Sequence, residues 1–95
     1  MLRILVLFLS LNLLSDVNKF IDASSKKYDQ LALDLWDYAE MGYQEVKSSN
    51  ALKKVLKEEG FSIRSNIAGI PTAFIAEYNN GGPVIAILAE YDALP

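Results

Sequence analysis

A run of apolar residues near the end of the chain limits the folds that this sequence can adopt. After Pro83 comes VIAILA (residues 84–89), in which apolar residues follow one another without alternation. Because successive side chains of a strand point to opposite faces, such a run predicts a strand buried on both faces. Glu90, Tyr91 and Asp92 follow at its carboxyl end. The run therefore predicts the centre of a sheet that has cover on both sides.

Two helices are predicted upstream of this run. Residues 16–41 carry apolar side chains at steps of three and four, and Gly42 is placed to end the helix. The second helix has Ser48 or Ser49 as its predicted N-cap, because a serine hydroxyl can accept a hydrogen bond from the amides of the first turn. Gly60 is predicted as the residue that follows its C-cap, with Phe61 packing just beyond.

Three strands are predicted after the helices, at residues 61–66, 72–78 and 83–91. The first alternates apolar and polar residues, and the second is rich in β-branched and aromatic residues. Residues 79–82 (NNGG) predict a hairpin, which makes the second and third strands antiparallel neighbours. The predicted fold class is α/β: two N-terminal helices followed by three strands of a mixed sheet. Two helices hardly cover both faces of that sheet, so it is expected to be the front part of a larger domain.

The composition excludes several classes of site. The 95 residues include no Cys and no His, so the chain forms no disulfide, and a zinc site made by it alone would need an unusual all-carboxylate donor set. The net charge is −3, whereas a nucleic-acid-binding protein is expected to carry a basic patch. The nearest approach to one is Lys53, Lys54 and Lys57, whose spacing is typical of the solvated face of a helix. No nucleic-acid partner is predicted.

Residues 1–15 differ in kind from the rest of the chain. Arg3 precedes an apolar stretch, Ile4–Leu14, that is interrupted only by Ser10 and Asn12. A membrane-spanning helix needs about 20 apolar residues, so this stretch predicts a secretory signal peptide rather than a stable membrane span. A buried or interfacial N-terminal helix is the alternative. The first interpretation predicts export to the periplasm or the extracellular space, and the second leaves the protein in the cytoplasm.

Two carboxylates follow the predicted third strand. In open α/β sheets, ligand sites gather beyond the carboxyl ends of strands. Glu90 and Asp92 are two residues apart, so on an extended chain they point to the same side. Such a pair can bind a divalent cation or orient a metal ligand. The alternative is that they are only the polar residues with which a buried strand returns to water.

Three stretches carry a resemblance to a known family: LWDYAEMGYQEVKSS, EEGFSIRSNIAGIPTAFIAEY and GGPVIAILAEYDALP. In this order, and covering most of residues 30–95, they resemble the N-terminal part of the zinc-dependent aminoacylase and carboxypeptidase superfamily. The similarity is greatest to its amidohydrolase branch, which contains p-aminobenzoyl-glutamate hydrolase. The resemblance implies that residues 16–95 are the N-terminal portion of a larger zinc-peptidase-like catalytic domain.

The resemblance also implies roles for the two acids. Many relatives have a His-x-Asp pattern at this strand end, in which the His binds zinc and the Asp orients the site. Asp92 matches the Asp, and Glu90 stands where the His would be. In the amidohydrolase branch that position is commonly acidic, and the metal ligands are later His, Cys and Glu residues. Asp92 is therefore expected to orient the catalytic site, whereas Glu90 is at most close to the metal. Glu40 and Glu45, on either side of Gly42, are interpreted as capping or solvated residues.

The implied activity is metal-assisted hydrolysis of an amide bond in a small N-acyl amino acid, a dipeptide or an aminobenzoyl-glutamate-like substrate. The whole protein is expected to hold zinc or a similar divalent metal pair, and its relatives are often homodimers. The 95 residues lack the general base and a full ligand set, so they are expected to be inactive and to bind no metal alone. Two alternatives stay open: a small secreted α/β interaction domain, or a decayed copy without catalysis.

Overall fold

The computed structural model describes the backbone of residues 2–95 and the side chains of residues 14–95. By its internal contacts the chain divides into two units, the first ending at Gln30 and the second comprising Leu31–Pro95. All of the predicted site residues belong to the second unit. The elements, in chain order, are the helix α1 (Leu2–Tyr38), the helix α2 (Val46–Glu58), the strand β1 (Ser62–Ser65), a 3-10 turn (Ile67–Gly69) and the strand β2 (Phe74–Glu77).

The first helix is longer than the sequence predicts at one end and shorter at the other. α1 begins at Leu2 and ends at Tyr38, before the predicted stop at Gly42. Ala39 follows with a φ of 46°, a left-handed conformation that ends the helix. The prediction of Gly42 as the terminating residue is therefore wrong. The ammonium group of Lys47 lies 5.7 Å from the centre of the Tyr38 ring and so links this helix end to the start of α2.

The predicted signal peptide, residues 1–15, rests on side chains that lie mostly outside the described residues and stays a prediction. None of the helices in the described part of the chain is both long enough and apolar enough to cross a membrane.

The second helix starts earlier than predicted. Its N-cap is Glu45, so Ser48 and Ser49 lie inside the first turn, where both are buried. The prediction of a serine N-cap is therefore wrong. At the other end the prediction is confirmed: Gly60 has a φ of 92° and donates its amide hydrogen to the carbonyl of Lys57 at 3.1 Å. The amide of Phe61 donates to the carbonyl of Leu56 at 3.0 Å, which completes the Schellman motif.

Within residues 2–95, the sheet has two strands instead of the predicted three. β1 and β2 are antiparallel, with Ser62 opposite Glu77 and Ser65 opposite Phe74. α2 contacts both strands. Beyond the end of the ladder, the rings of Phe61 and Tyr78 meet at a centroid distance of 5.4 Å. The two helices and the first two strands give the α/β character that the sequence predicts.

The predicted third strand is not present within residues 83–91, which have no regular secondary structure. Val84, Ile87 and Leu88 are each more than 90% exposed, so the expected burial on both faces is also absent. Among residues 14–95, none of the apolar side chains is fully buried. The physical reason is that an unpaired apolar strand is stable only between two covering layers, and the described residues supply neither.

Candidate functional site

Glu90 and Asp92 together are here called the acidic motif. The segment that carries this motif is held by hydrogen bonds on both sides of Asp92. The amide of Ala93 donates a hydrogen bond to the main-chain carbonyl of Glu40 at 2.7 Å. The hydroxyl of Tyr91 donates to the main-chain carbonyl of Thr72, just before β2. Asp92 is thus held by its two neighbours although the segment forms neither helix nor strand. Its own side chain stays exposed.

Tyr91 is the more strongly packed of these two anchors. Its ring lies 6.0 Å from the ring of Phe74 in β2, with the two planes tilted by 37°, a favourable aromatic arrangement. Burial raises the pKa of the Tyr91 hydroxyl, and the nearby charge of Glu45 raises it further. The hydroxyl therefore stays protonated at neutral pH, as its role of hydrogen-bond donor to Thr72 requires.

Glu40 supplies the cap that the serines of α2 were predicted to supply. Its carboxylate accepts hydrogen bonds from the amide of Lys47 at 2.9 Å, and from the amide and hydroxyl of Ser48, each at 2.8 Å. These amides belong to the first turn of α2, where helical amides have no partner within the helix. Desolvation raises the pKa of Glu40, but the hydrogen bonds from Ser48 and Lys47 outweigh it and lower the pKa overall.

Glu45, the N-cap residue, is buried to nine-tenths of its surface. Burial raises the pKa of this carboxyl most, and the charge of Glu40 raises it too. The amides of Glu45 and Tyr43 and the hydroxyl of Thr72 act the other way, and the net pKa is lowered. The carboxylate is therefore ionised at neutral pH. One of its oxygens, Oε2, is buried without a hydrogen-bond partner among the described residues.

Two cavities meet at the acidic motif. The first, of about 720 Å³, lies between residues 90–94 and the last turn of α1 together with Ala39. The second, of about 430 Å³, is here called the Gly42 cavity. Its lining includes Gly42, Glu45, Thr72, Phe74, Tyr91 and Asp92. Glu90 and Asp92 border both cavities, so both carboxylates lie where the two cavities meet.

Gly42 leaves open the space between two carboxylates. A Cβ atom at this position would lie 3.7 Å from Oδ2 of Asp92 and 4.0 Å from Oε1 of Glu45. Asp92 and Glu45 therefore face a common point, even though they come from distant parts of the sequence. The spacing of Glu90 and Asp92 pointed to this region, but nothing in the sequence indicated that Glu45 would join them. Its only signal was an acid next to a predicted helix start, which is typical of capping.

The residues that the structure describes do not form a metal site by themselves. The described part of the chain contains no group of three or more His, Cys, Asp or Glu side chains that could hold a metal ion. A carboxylate pair is too small a ligand set for a closed structural zinc site. The roles predicted for Asp92 and Glu90 toward a metal therefore stay predictions.

The chain is similar to curated proteins that are hydrolases by name. It is 39% identical over 85 residues to a subunit of the p-aminobenzoyl-glutamate hydrolase of Escherichia coli, a match that covers 85% of this chain and 18% of that protein. It is 39% identical over 64 residues to N-acetylcysteine deacetylase of Bacillus subtilis, covering 65% of this chain and 17% of the relative.

A third relative, named as the amidohydrolase YhaA of Bacillus subtilis, is 28% identical over 80 residues, covering 84% of this chain and 20% of the relative. No family model matches the chain. These relatives confirm the resemblance to the amidohydrolase and aminoacylase family. The chain spans about one fifth of the length of the curated relatives it matches.

Proposed function

We propose that this chain, similar over most of its length to amidohydrolases, is the N-terminal part of a larger hydrolase that cleaves an amide bond. The observation that carries the proposal is the 39% identity over 85 residues to the E. coli hydrolase. The names of the relatives indicate the substrate class: p-aminobenzoyl-glutamate and N-acetylcysteine are both amino acids acylated on nitrogen. We therefore propose a small N-acyl amino acid, a dipeptide or an aminobenzoyl-glutamate-like compound as substrate.

Asp92 is the proposed orienting residue of the catalytic site. The hydrogen bonds of Tyr91 and Ala93 on either side of it hold its backbone in place, and its exposed carboxylate is available to accept hydrogen bonds from a group contributed by another part of the protein. A rigidly held carboxylate of this kind orients a catalytic or ligating group without reacting itself. Glu90 borders the same cavities and is proposed only to lie near that group.

Metal dependence is part of the proposal for the whole protein and not for these 95 residues. In the family that the chain resembles, the ligands are later His, Cys and Glu residues, and this sequence has no His and no Cys. Zinc or a similar divalent metal pair is proposed for the whole protein. The 95 residues alone are proposed to be inactive.

A larger sheet is proposed as the context of residues 83–91. These residues have the composition of a central strand, yet Val84 and Leu88 are 96% and 95% exposed. Each Å² of apolar surface removed from water by such cover would stabilise the protein by about 25 cal/mol. We propose that further strands and helices of the whole protein supply this cover. The same exposure disfavours a self-sufficient secreted interaction domain.

Assembly and export are proposed on separate grounds. One relative is named as a subunit, and the family resemblance implies homodimers, so the whole protein is proposed to associate with another chain. Export follows from the signal peptide predicted at residues 1–15.

A release assay tests the proposed activity. The whole protein would be incubated with p-aminobenzoyl-glutamate, N-acetylcysteine and a dipeptide, with and without a metal chelator, and the products would be separated by chromatography. We expect release from at least one substrate, its loss on chelation, and a fall of about 100-fold or more in kcat for Asp92→Asn, because orienting groups contribute on that scale. Asp29→Asn, in the first unit, is the matched control. An absence of release from all three substrates would contradict the proposal.

A further inference from the structure

Thr72 lies between Tyr91 and Glu45 and contacts both. Its main-chain carbonyl accepts the hydrogen bond from the Tyr91 hydroxyl, and its own hydroxyl donates to the Glu45 carboxylate. Thr72 and Glu45 are both buried, with 6% and 9% of their surface exposed. All three residues line the Gly42 cavity together with Asp92. A continuous series of contacts therefore connects a buried carboxylate to the residue next to Asp92.

The turn that carries Thr72 is held by main-chain hydrogen bonds. The amide of Ala73 donates to the carbonyl of Ile70 at 3.1 Å, and the amide of Ile67 donates to the carbonyl of Ala73 at 3.3 Å. β2 begins directly afterwards at Phe74, whose ring contacts the ring of Tyr91. Tyr91 is thus placed at two points of one fixed segment, by its hydroxyl and by its ring.

Glu45 connects this turn to the start of α2. It is the N-cap residue, and its carbonyl accepts the amide of Ser49 at 2.9 Å. Its carboxylate makes no capping bond to the helix, because Glu40 supplies that cap. Burying an ionised carboxylate is unfavourable unless hydrogen bonds compensate it. Capping of α2 therefore does not explain this buried carboxylate, whereas its contact with Thr72 gives it a role between two segments.

The loop between α1 and α2 brings Glu45 close to Asp92 on a second side. A Cβ atom on Gly42 would lie 3.7 Å from Oδ2 of Asp92 and 4.0 Å from Oε1 of Glu45. The Asp92 side chain therefore lies against the backbone of the loop that Glu45 ends. A displacement of Glu45 would move both neighbours of Asp92, the loop at Gly42 and, through Thr72, the ring and hydroxyl of Tyr91.

We propose that Glu45 is a positioning residue for Asp92, acting through Thr72 and Tyr91. The inference rests on the proposed role of Asp92 in hydrolysis and deepens it, because it names the buried group that fixes where Asp92 lies. A carboxylate that orients a catalytic or ligating group must itself be held to within about 0.5 Å by the residues around it.

Nuclear magnetic resonance relaxation of the 95-residue chain tests the positioning without turnover. The order parameter of the Asp92 amide is expected to be about 0.85 in the native chain and to fall below about 0.6 in Glu45→Ala and in Thr72→Val. Thr72→Val keeps the shape of the side chain and removes only its hydroxyl, so it decides the question even if Glu45→Ala does not fold.

The controls keep or remove a hydroxyl at matched positions. Thr72→Ser keeps the donor to Glu45 and is expected to leave Asp92 rigid. Tyr78→Phe removes the hydroxyl of the other tyrosine that packs on a phenylalanine and is also expected to leave Asp92 rigid. If the Asp92 amide stays rigid in Thr72→Val, the hydrogen bond between Ala93 and Glu40 is enough to hold it, and the proposal is overturned.

The whole protein gives a second measurement, in the release assay described above. Thr72→Val is expected to lower kcat about tenfold or more with little change in KM, because loss of an orienting partner has effects of this size, and Thr72→Ser should retain most of kcat. In an Asp92→Asn background Thr72→Val should cause no further loss, since the group that it positions is already removed. A full additional loss there would overturn the proposal. If no product is released at all, the proposed hydrolysis fails, and the order parameters still decide whether Glu45 positions Asp92.

Discussion

Glu40 serves two segments of the chain through different atoms. Its carboxylate accepts hydrogen bonds from the amides of Lys47 and Ser48 in the first turn of α2, and its carbonyl accepts one from Ala93 beside Asp92. The position of the acidic motif is thus connected to the start of α2 through a single residue. A cap supplied from seven or eight residues upstream leaves the serines of the helix free to be buried.

The ionisation of Glu40 gives a prediction for this single residue. Its folded-state pKa is lowered from the ordinary value of 4.5, so its stabilisation of α2 is present above that value and is lost as the pH falls through the folded pKa. We expect the amide proton shifts of Lys47 and Ser48 to titrate together with a midpoint below pH 4.5, followed by NMR between pH 7 and pH 2. In Glu40→Gln this titration should disappear. A midpoint at or above the ordinary value, or a titration that survives the substitution, would contradict the assigned cap.

Among the elements, the unit formed by α2 and the two strands depends on how α2 ends. Gly60 turns the chain with a φ of 92°, which directs Phe61 toward Tyr78 at the edge of the sheet. A left-handed residue at this point lets the amides of Gly60 and Phe61 satisfy carbonyls in the last turn of α2. The helix end and the strand start are therefore one structural feature.

Gly60→Ala tests this connection. The new Cβ would have to adopt a positive φ and would lie 3.4 Å from Cε2 of Tyr78. We expect the free energy of unfolding to fall by about 1 kcal/mol or more, because an L-residue is strained in this conformation. Urea denaturation followed by circular dichroism would measure it. Asn50→Ala, at an exposed position of the same helix, is the control and should not lower stability. If Gly60→Ala and the native chain have the same free energy of unfolding, a side chain at residue 60 causes no strain, and the prediction is wrong.

At the scale of the whole molecule, the apolar side chains of residues 83–89 are among the most solvent-exposed in the second unit. Val84, Ile85, Ile87 and Leu88 are 85–96% exposed. A contiguous apolar surface of this kind is typical of a binding interface or of a domain whose remaining parts cover it. The chain spans only about one fifth of the length of its curated relatives. This agrees with the interpretation that the remaining parts of a larger domain cover the apolar surface.

Substitutions in this segment test whether its exposure governs the behaviour of the 95-residue chain. Val84→Lys combined with Leu88→Lys should reduce self-association in analytical ultracentrifugation and lower the binding of a hydrophobic dye severalfold, because it interrupts the apolar surface. The helical signal in circular dichroism should not change, because neither residue belongs to a helix or a strand. Asn79→Lys combined with Asn80→Lys adds the same charge next to the segment and serves as the control. If the control reduces association equally, net charge and not the apolar run is responsible.

The features that depend on local spacing could be predicted from the amino-acid sequence alone. The three- and four-residue steps predicted α1 and α2, Gly60 predicted the end of α2, and alternation and β-branched residues predicted the positions of β1 and β2. Local propensity and turn chemistry act over a few residues, so they can be read directly from the chain. The family resemblance was also contained in short stretches of sequence, and the relatives confirmed it.

Which groups meet became known only from the three-dimensional arrangement of the chain. Tyr91 reaches the carbonyl of Thr72 across 19 residues. The sequence left Glu40 and Glu45 as either capping or solvated residues, and the structure shows that Glu40 caps α2 in place of the predicted serines and that Glu45 is buried beside Asp92. For residues 84–89 the sequence pattern predicted a buried strand, but the described residues supply no partner strand or covering layer, so the run stays exposed. The physical reason is common to all four cases: burial and hydrogen-bond partners depend on which distant segments pack together, and spacing along the chain carries no record of that packing.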